Sequence, residues 1–271
     1  MLDILIPLVS VIIPSYNHSV YIKETILSAA AQRNDGFRFE IIVIDDGSTD
    51  GSPDLLRALR DSGVCDFKLV IKDNEGLCRT LNRAIREHSS GSYVAVLASD
   101  DAWSSEKLYK QMSLLLSTAD TALCYSNGQR MDHPTNGKLL SRFTFSGRVK
   151  NQLTVFNFIP AGTILFSRDL YDKIAGFDET GLRLEDWDFV LRASNVTKFC
   201  CVNEPLLLYR VHGESTIVKM RFKGELFNEK LSVLLKNKKI LNPFLFYLSV
   251  FLHFSFDKVL RPFIWFFSKL R

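Results

Sequence analysis

Asp100 and Asp101 are adjacent carboxylates at the end of an uncharged apolar run, Tyr93 to Ala98, which is introduced by Ser89-Ser90-Gly91-Ser92. Such a run reads as a strand covered on both faces, as in a parallel sheet between helices. Two carboxylates at its end are costly to desolvate unless positive charge meets them. Neighbouring carboxylates with open coordination positions suit Mg²⁺ or Mn²⁺, with a nucleotide's phosphates completing the shell. The plainer alternative is a solvated turn in which Asp101 or Ser104 caps the following helix. Three other polar clusters are placed the same way: Ser15-Tyr16-Asn17, Asp45-Asp46, and Asn74-Glu75-Gly76 with Arg79 each follow an apolar run. One such cluster is ordinary turn chemistry. Four of them on one sheet edge describe the place where open α/β sheets bind ligands.

The elements that would hold these residues alternate regularly. Val9–Ile13, Phe39–Ile44, Phe67–Ile71 and Tyr93–Ala98 read as strands, separated by helical patterns over Val20–Gln32, Ser52 to about Leu59, and Leu77–His88. Ser52-Pro53 supplies a helix cap followed by Pro at the first helical position. Four strands interleaved with three helices predict a βαβ-wound, mostly parallel sheet with flanking helices. Beyond Trp103 the pattern loosens. A helix is expected over Glu106–Ser117, strands over Thr121–Tyr125 and 160–166, and a short helix over Ser167–Ala175 stopped by Gly176. A helix beginning near Arg183 reaches Ser194, and strands follow over Thr197–Val202 and Leu206–Val211. Residues 126–150, rich in Gly, Asn, Ser and Arg, read as a connection or hairpin facing an acceptor.

The chain has 271 residues, 46% of them hydrophobic, with mean hydropathy near zero at +0.04. That is enough for one large or two fused domains with a substantial core. The net charge of +4 conceals an asymmetry, because residues 219–271 hold 11 Lys and Arg against 3 Asp and Glu while residues 1–218 hold 23 against 27. An acidic body with a basic, aromatic tail is not a nucleic-acid binder's distribution. The expected division is 1–218 as the catalytic body and 219–271 as a helical tail. Five scattered cysteines without CxxC or zinc spacing point to reduced thiols. Met1–Val9 lacks a basic flank and cleavage site and reads as no signal peptide.

Within the tail, Ser249, His253, Asp257 and Arg261 recur every four residues, so a helix there carries one narrow polar stripe beside a broad apolar face. The apolar run from Phe244 to Phe256 is short for a bilayer span before Asp257-Lys258. An amphipathic helix with a basic approach suits peripheral contact of 241–271 with anionic headgroups at the inner face of a membrane. Packing of that face on the body or on a second copy is the alternative.

With these residues together, the chain resembles a family 2 glycosyltransferase of GT-A fold, the inverting, nucleotide-sugar-dependent kind of bacterial cell-surface glycan synthesis. The matching stretches are Val11-Ile-Ile-Pro-Ser-Tyr-Asn17, Val43-Ile-Asp-Asp-Gly-Ser-Thr-Asp50, Asn74-Glu-Gly76 with Asn82, Ser99-Asp-Asp101, Glu185-Asp186 and Tyr209-Arg-Val-His212. They span residues 9–213 and leave the tail outside. Ser-Asp-Asp stands where many relatives have Asp-x-Asp, so a metal rests on Asp100 and Asp101.

The resemblance implies a UDP- or dTDP-sugar donor, a divalent metal (Mn²⁺ or Mg²⁺) and a glycan acceptor, free or lipid-linked. It places Asp46 on the base, with Pro14, Ser15, Tyr16 and Asn17 lining base and ribose, and Arg79 and Asn82 near the nucleotide. Asp101 would ligate the metal directly, Asp100 would meet the ribose or sugar, and His212 would complete the metal or diphosphate site. Asp186 would be the general base. Its neighbour Glu185 points about 100° away on a helix, so only one of the two can serve. Asp186 acting merely as a helix cap is the structural alternative. A nucleotide-sugar-binding module without transfer activity would lack this acid pair. A nucleotidyltransferase would carry a Gly-rich basic loop where Pro14-Ser-Tyr-Asn-His18 stands.

Overall fold

In the computed structural model, which describes residues 6–131, 137–212 and 216–260, the alternating first third folds as its periodicity requires. Strands β1 (Leu8–Ser15), β2 (Arg38–Asp46), β3 (Lys68–Lys72) and β4 (Tyr93–Val96) pair in parallel in the order β3-β2-β1-β4. Helices α1 (Ile22–Ala30), α2 (Ser52–Asp61) and α3 (Leu77–Arg83, continued by a π-helical turn over Ala84–His88) make the crossovers. Successive side chains of a strand face opposite ways. Accordingly Val9, Val11 and Ile13 of β1 join one hydrophobic cluster with Ile41 and Val43 of β2, while Ile12, Ile42 and Ile44 join another. Both faces are covered, which is why these strands are continuous apolar runs rather than alternating ones.

The second half extends the sheet to eight strands, in the order β3-β2-β1-β4-β7-β6-β8-β5. It contains β5 (Ala102–Trp103), α4 (Lys107–Ser117), β6 (Thr121–Arg130), α5 (Lys150–Val155), β7 (Leu165–Ser167), α6 (Arg168–Lys173), α7 (Glu185–Ser194) and β8 (Lys198–Tyr209). Strand β7 runs antiparallel to both neighbours, β5 runs antiparallel to β8, and β6 and β8 are parallel. Two expected strands over 197–211 are one. Strand β8 absorbs Pro205 at a register shift opposite Asn127, where a missing ladder N–H is tolerated. The strand expected over 160–166 opens instead with a 3₁₀ turn, Ala161–Thr163. Strand β6 reaches Arg130, five residues further than expected into the 126–150 stretch, and residues 132–136 of that stretch lie outside the described residues. The α2 cap is Gly51, with φ of 84°, rather than Ser52.

The tail forms α8 (Thr216–Phe222), α9 (Leu226–Asn237) and α10 (Pro243–Phe254), the last continued by a π-helical turn over Ser255–Leu260. No gap in packing marks residue 219, because Met220, Leu226, Val233, Leu234, Leu241 and Phe246 belong to the same cluster as Trp187 and Phe189 of α7. Polar ties reinforce the join: Asn237 Nδ2 donates to Asp188 Oδ1 at 2.8 Å, and Arg183 bridges Glu225 and Glu229 at 2.6 Å each.

Candidate functional site

The loops after β1, β2 and β4 meet the end of β8 at one edge of the sheet. After β1 the backbone enters the left-handed region at Asn17, with φ of 55°. That conformation is uncommon outside Gly but accessible to Asn. It lets Asn17 N donate to Ser48 Oγ at 2.8 Å while Asn17 Oδ1 accepts from Thr49 N at 2.8 Å. Two residues on, Ser19 N donates to Asp50 Oδ2 at 2.9 Å. Burial alone would raise the Asp50 carboxyl, but hydrogen bonds from Ser52 and Ser19 outweigh it and hold the group at about 2. The Gly-Ser-Thr-Asp stretch after β2 thus clamps residues 17 and 19, and His18 between them is carried toward Ser99.

Around β4 the contacts converge on Ser99-Asp100-Asp101. Thr25 Oγ1 on α1 donates to the carbonyls of Ser99 (2.9 Å) and Asp101 (2.7 Å), fixing the turn from below. Arg210, just past β8, donates its backbone N–H to Asp101 Oδ1 at 2.9 Å and its Nε to the Asp100 carbonyl at 3.0 Å. His212 Nε2 lies 2.8 Å from Asp100 Oδ2, and His18 Nδ1 lies 2.7 Å from Ser99 Oγ. Ligand atoms of His18, Asp100 and His212 fall within 4.8 Å of one another. Two imidazoles and one carboxylate at that spacing fit a divalent transition ion. Burial lowers His18, partly offset by Asp100 and reinforced by His212, which favours the neutral ring.

The two aspartates meet different partners. Asp101, expected as the direct metal ligand, is 3% exposed and turned onto the backbone N–H of Arg210. Burial, with Asp100 beside it, pushes its carboxyl well above the usual range. Asp100, expected on the ribose or sugar, is the carboxylate that meets His212. His18 had no role assigned, although its position in the loop after β1 put it on the correct edge.

Glu185 and Asp186 open α7, where the helix N-terminus faces the acid pair. Asp186 Oδ2 accepts from Asn157 Nδ2 at 3.0 Å, and Asn157 Oδ1 accepts from Ile159 N at 3.1 Å. Both acids are partly accessible, yet deep enough for burial to dominate their ionisation. Burial and then the Asp186 charge push Glu185 up to about 8, and burial raises Asp186 against hydrogen bonds from the Trp187 N–H and Asn157. The segment after Asn157 leads to Gly162, whose carbonyl accepts from Trp103 Nε1 at 2.8 Å. A Cβ placed at Gly162 would sit 3.7 Å from Asp101 Oδ2. Four residues of chain therefore lie between Asn157, which meets Asp186, and Gly162, which approaches Asp101, a Cα span of at most roughly 18 Å.

On the base side the expected residues divide. Pro14 pairs with Ile44 in the β1–β2 ladder. Ser15 is buried with an unpartnered Oγ, and Tyr16 is 48% exposed at the mouth. Asp46 is pinned internally by Lys72, the N–H of Glu75 (2.9 Å) and the N–H of Gly76 (3.0 Å). Burial opposes its ionisation, but Lys72 and these N–H groups keep its carboxyl below the ordinary range. Gly47 must be glycine here, because a Cβ would stand 2.7 Å from Asn74 N. The expectation for Asn82 is corrected. Its amide is consumed by the Phe177 carbonyl (2.8 Å), Glu179 (2.7 Å), Tyr171 Oη (2.8 Å) and the Phe177 N–H (2.9 Å), 2% exposed against Gly176. It ties α3 to the turn before α7 rather than lining a nucleotide. Arg79, mostly exposed on the same helix, reaches Glu179 at 3.7 Å.

Comparison with known proteins identifies the family and the fold. Residues 10–175 match the family described as Glycosyl transferase family 2. The chain is 39% identical over 110 residues to the putative teichuronic acid biosynthesis glycosyltransferase TuaG of Bacillus subtilis, covering 41% of this chain and 42% of that one. The chain spans less than two thirds of the first curated relatives it matches. Among solved structures, the mannosyltransferase PcManGT of Pyrobaculum calidifontis, in complex with GDP-Man and Mn²⁺, has a TM-score of 0.68 at 19% identity, over 95% of this chain and 71% of that one. S. aureus TarS 1-349 in complex with UDP has a TM-score of 0.60 at 21% identity, over 84% and 65%. At these identities the structures establish a shared GT-A fold.

Proposed function

This chain belongs to glycosyl transferase family 2, and from that premise we propose that it moves a sugar from a UDP- or dTDP-sugar to a glycan hydroxyl in cell-surface polysaccharide synthesis. The observation that carries the reading is the pairing of His212 with Asp100 at the sheet edge, together with a partly accessible acid pair on α7. Asp100 and His212 would hold a divalent cation, which when bound supplies positive charge for the leaving diphosphate. The loop residues Ser15, Tyr16 and Asn17 would bind base and ribose, with Asp46 shaping the pocket through Lys72 and Glu75.

Asp186 would take the acceptor hydroxyl's proton. The freed oxygen would form the bond to the anomeric carbon as the sugar–phosphate bond breaks, and the configuration would invert. Glu185, pushed up to about 8, is largely protonated near neutrality and is the poorer base. Asn157 and the helix N-terminus favour the ionised form of Asp186 and aim it. To test the reading, the purified chain is incubated with Mn²⁺ and a panel of sugar nucleotides, and nucleoside diphosphate release is followed. Release from at least one UDP- or dTDP-sugar, lost in excess EDTA and in Asp100→Ala, is expected. Full activity in EDTA would remove the cation from the account.

The same reading includes peripheral contact with the cytoplasmic face of a membrane through α10, which suits a lipid-linked acceptor. Helix α10 is inside-out for a surface helix. Its polar stripe faces inward, with Ser249 Oγ donating to the Val155 carbonyl at 3.2 Å, His253 against the Trp187 ring, and Asp257 paired with Lys230 at 2.7 Å. Its outer face exposes Phe244, Tyr247, Phe251 and Phe254. Pro243–Leu260 is one unbroken helix of 18 residues with mean hydropathy 1.2, long and apolar enough to cross a membrane by length and composition. The helix continues past the apolar run of Phe244 to Phe256 and includes Asp257 and Lys258. The inward ties of Ser249, His253 and Asp257 favour a helix lying along the surface over one that crosses.

A further inference from the structure

We propose that His18 is a third ligand of the cation site, so that the protein alone offers an ion two imidazoles and a carboxylate before any nucleotide arrives. This rests on the reading of Asp100 and His212 as cation ligands, and adds a residue that lies outside both of their sequence stretches.

Three observations carry it. The ligand atoms of His18, Asp100 and His212 are mutually within 4.8 Å, and the two imidazole rings stand perpendicular, at 90°, with centroids 5.8 Å apart. Rings so placed can direct nitrogens at one point without stacking. A partner for the other ring nitrogen is in place as well. His18 Nδ1 sits 2.7 Å from Ser99 Oγ, which can accept its N–H and leave Nε2 for the ion. Metal-bound histidines commonly donate their other ring N–H to such a partner. Finally, the position is rigid. The hydrogen bonds of Asn17 to Ser48 and Thr49, and of Ser19 to Asp50, hold both neighbours of His18. Asp50 itself is held by Ser52 N (3.0 Å) and Ser52 Oγ (2.5 Å). The hydrogen bonds that shape the loop itself use backbone and the side chains of residues 17, 48, 50 and 52, while the His18 ring reaches out of it to Ser99 and Tyr21.

Two consequences separate a three-ligand site from one that only nucleotide phosphates can complete. The apo protein should bind a cation, and it should prefer Mn²⁺ to Mg²⁺, because Mg²⁺ favours oxygen ligands and imidazole suits transition ions. Asp50 is then a positioning residue, acting on the ion only through His18.

The experiment is a Mn²⁺ titration of the full-length protein without nucleotide, reading free Mn²⁺ by electron paramagnetic resonance and counting coupled ¹⁴N nuclei by spin-echo modulation. One Mn²⁺ per chain with two imidazole nitrogens is expected, poorly displaced by Mg²⁺. His18→Gln should lose one nitrogen and weaken binding by about tenfold or more, and Asp50→Asn should weaken it by about tenfold with all three ligands retained. Should His18→Gln bind like wild type while Asp100→Asn does not, His18 is no ligand and the two-residue site stands. A wild-type site with a single imidazole nitrogen, or with no affinity before nucleotide is added, also overturns the proposal. Unchanged binding in Asp100→Asn and His212→Ala removes the cation site itself. Thermal melts of each variant separate lost ligation from lost folding.

Discussion

Glu185 and Asp186 differ by one position in the chain and by their surroundings in the fold. Glu185 has no counter-charge to offset burial, whereas Asp186 has the Asn157 amide and the Trp187 N–H. The folded protein therefore holds a proton on Glu185 at pH values where an unfolded glutamate, near 4.5, has lost it. By linkage its contribution is fully present below that unfolded value and is lost as pH rises through about 8. Glu185→Gln, which cannot ionise, should be more stable than wild type at pH 8 to 9 and no more stable near pH 4. Melting temperatures across that range check this, and a difference constant with pH would contradict it. At this scale the sequence was legible where chemistry repeats a local pattern. The placement of the acid pair at a helix start and of His212 just past a strand could be read from their order and context. The different partners of Asp100 and Asp101 could not be read, because they depend on which carboxylate the backbone of Arg210, over a hundred residues away, meets. Asn82 misled for a related reason: a polar residue on the correct helix face has its partners in the turn at 176–179.

Alternating elements were the most legible feature, since a βαβ winding imposes a regular spacing of apolar runs and turns. Element ends were read less well where tertiary pairing decides them. Strand β8 continues through Pro205 because β6 accommodates the shift, and β5 is two residues held by β8. Helix α10 was expected to be amphipathic with its polar stripe as a feature of the helix itself. Which side faced the protein depended on Val155, Trp187 and Lys230, none of them nearby in sequence. The apolar outer face is rimmed by the exposed lysines Lys238, Lys239 and Lys258, a composition suited to anionic lipid. Phe244→Glu with Phe251→Glu alters only exposed positions, so the melting temperature should hold while flotation with phosphatidylglycerol vesicles falls several-fold. Equal flotation of variant and wild type, or a wild type that stays wholly unbound, would remove the membrane contact and leave α10 as an interface for protein.

The molecule as a whole reads as two halves of one sheet with different duties. The parallel half, β3-β2-β1-β4, delivers its loops to the edge that carries His18 and Asp100, the side proposed for donor and cation. The mixed half supplies His212 from beyond β8 and the acid pair from α7, and the 157–163 segment runs from one set of contacts to the other. That division lets donor binding and proton transfer be disturbed separately. Asp186→Asn keeps size and hydrogen bonding but removes the base. Measured side by side, donor affinity by calorimetry and turnover by product formation should diverge in this variant: affinity near wild type, turnover down by roughly a hundredfold or more, with the wild-type product inverted at the anomeric carbon. Wild-type turnover in Asp186→Asn, or its loss in Glu185→Gln alone, would contradict the assignment on which the mechanism rests.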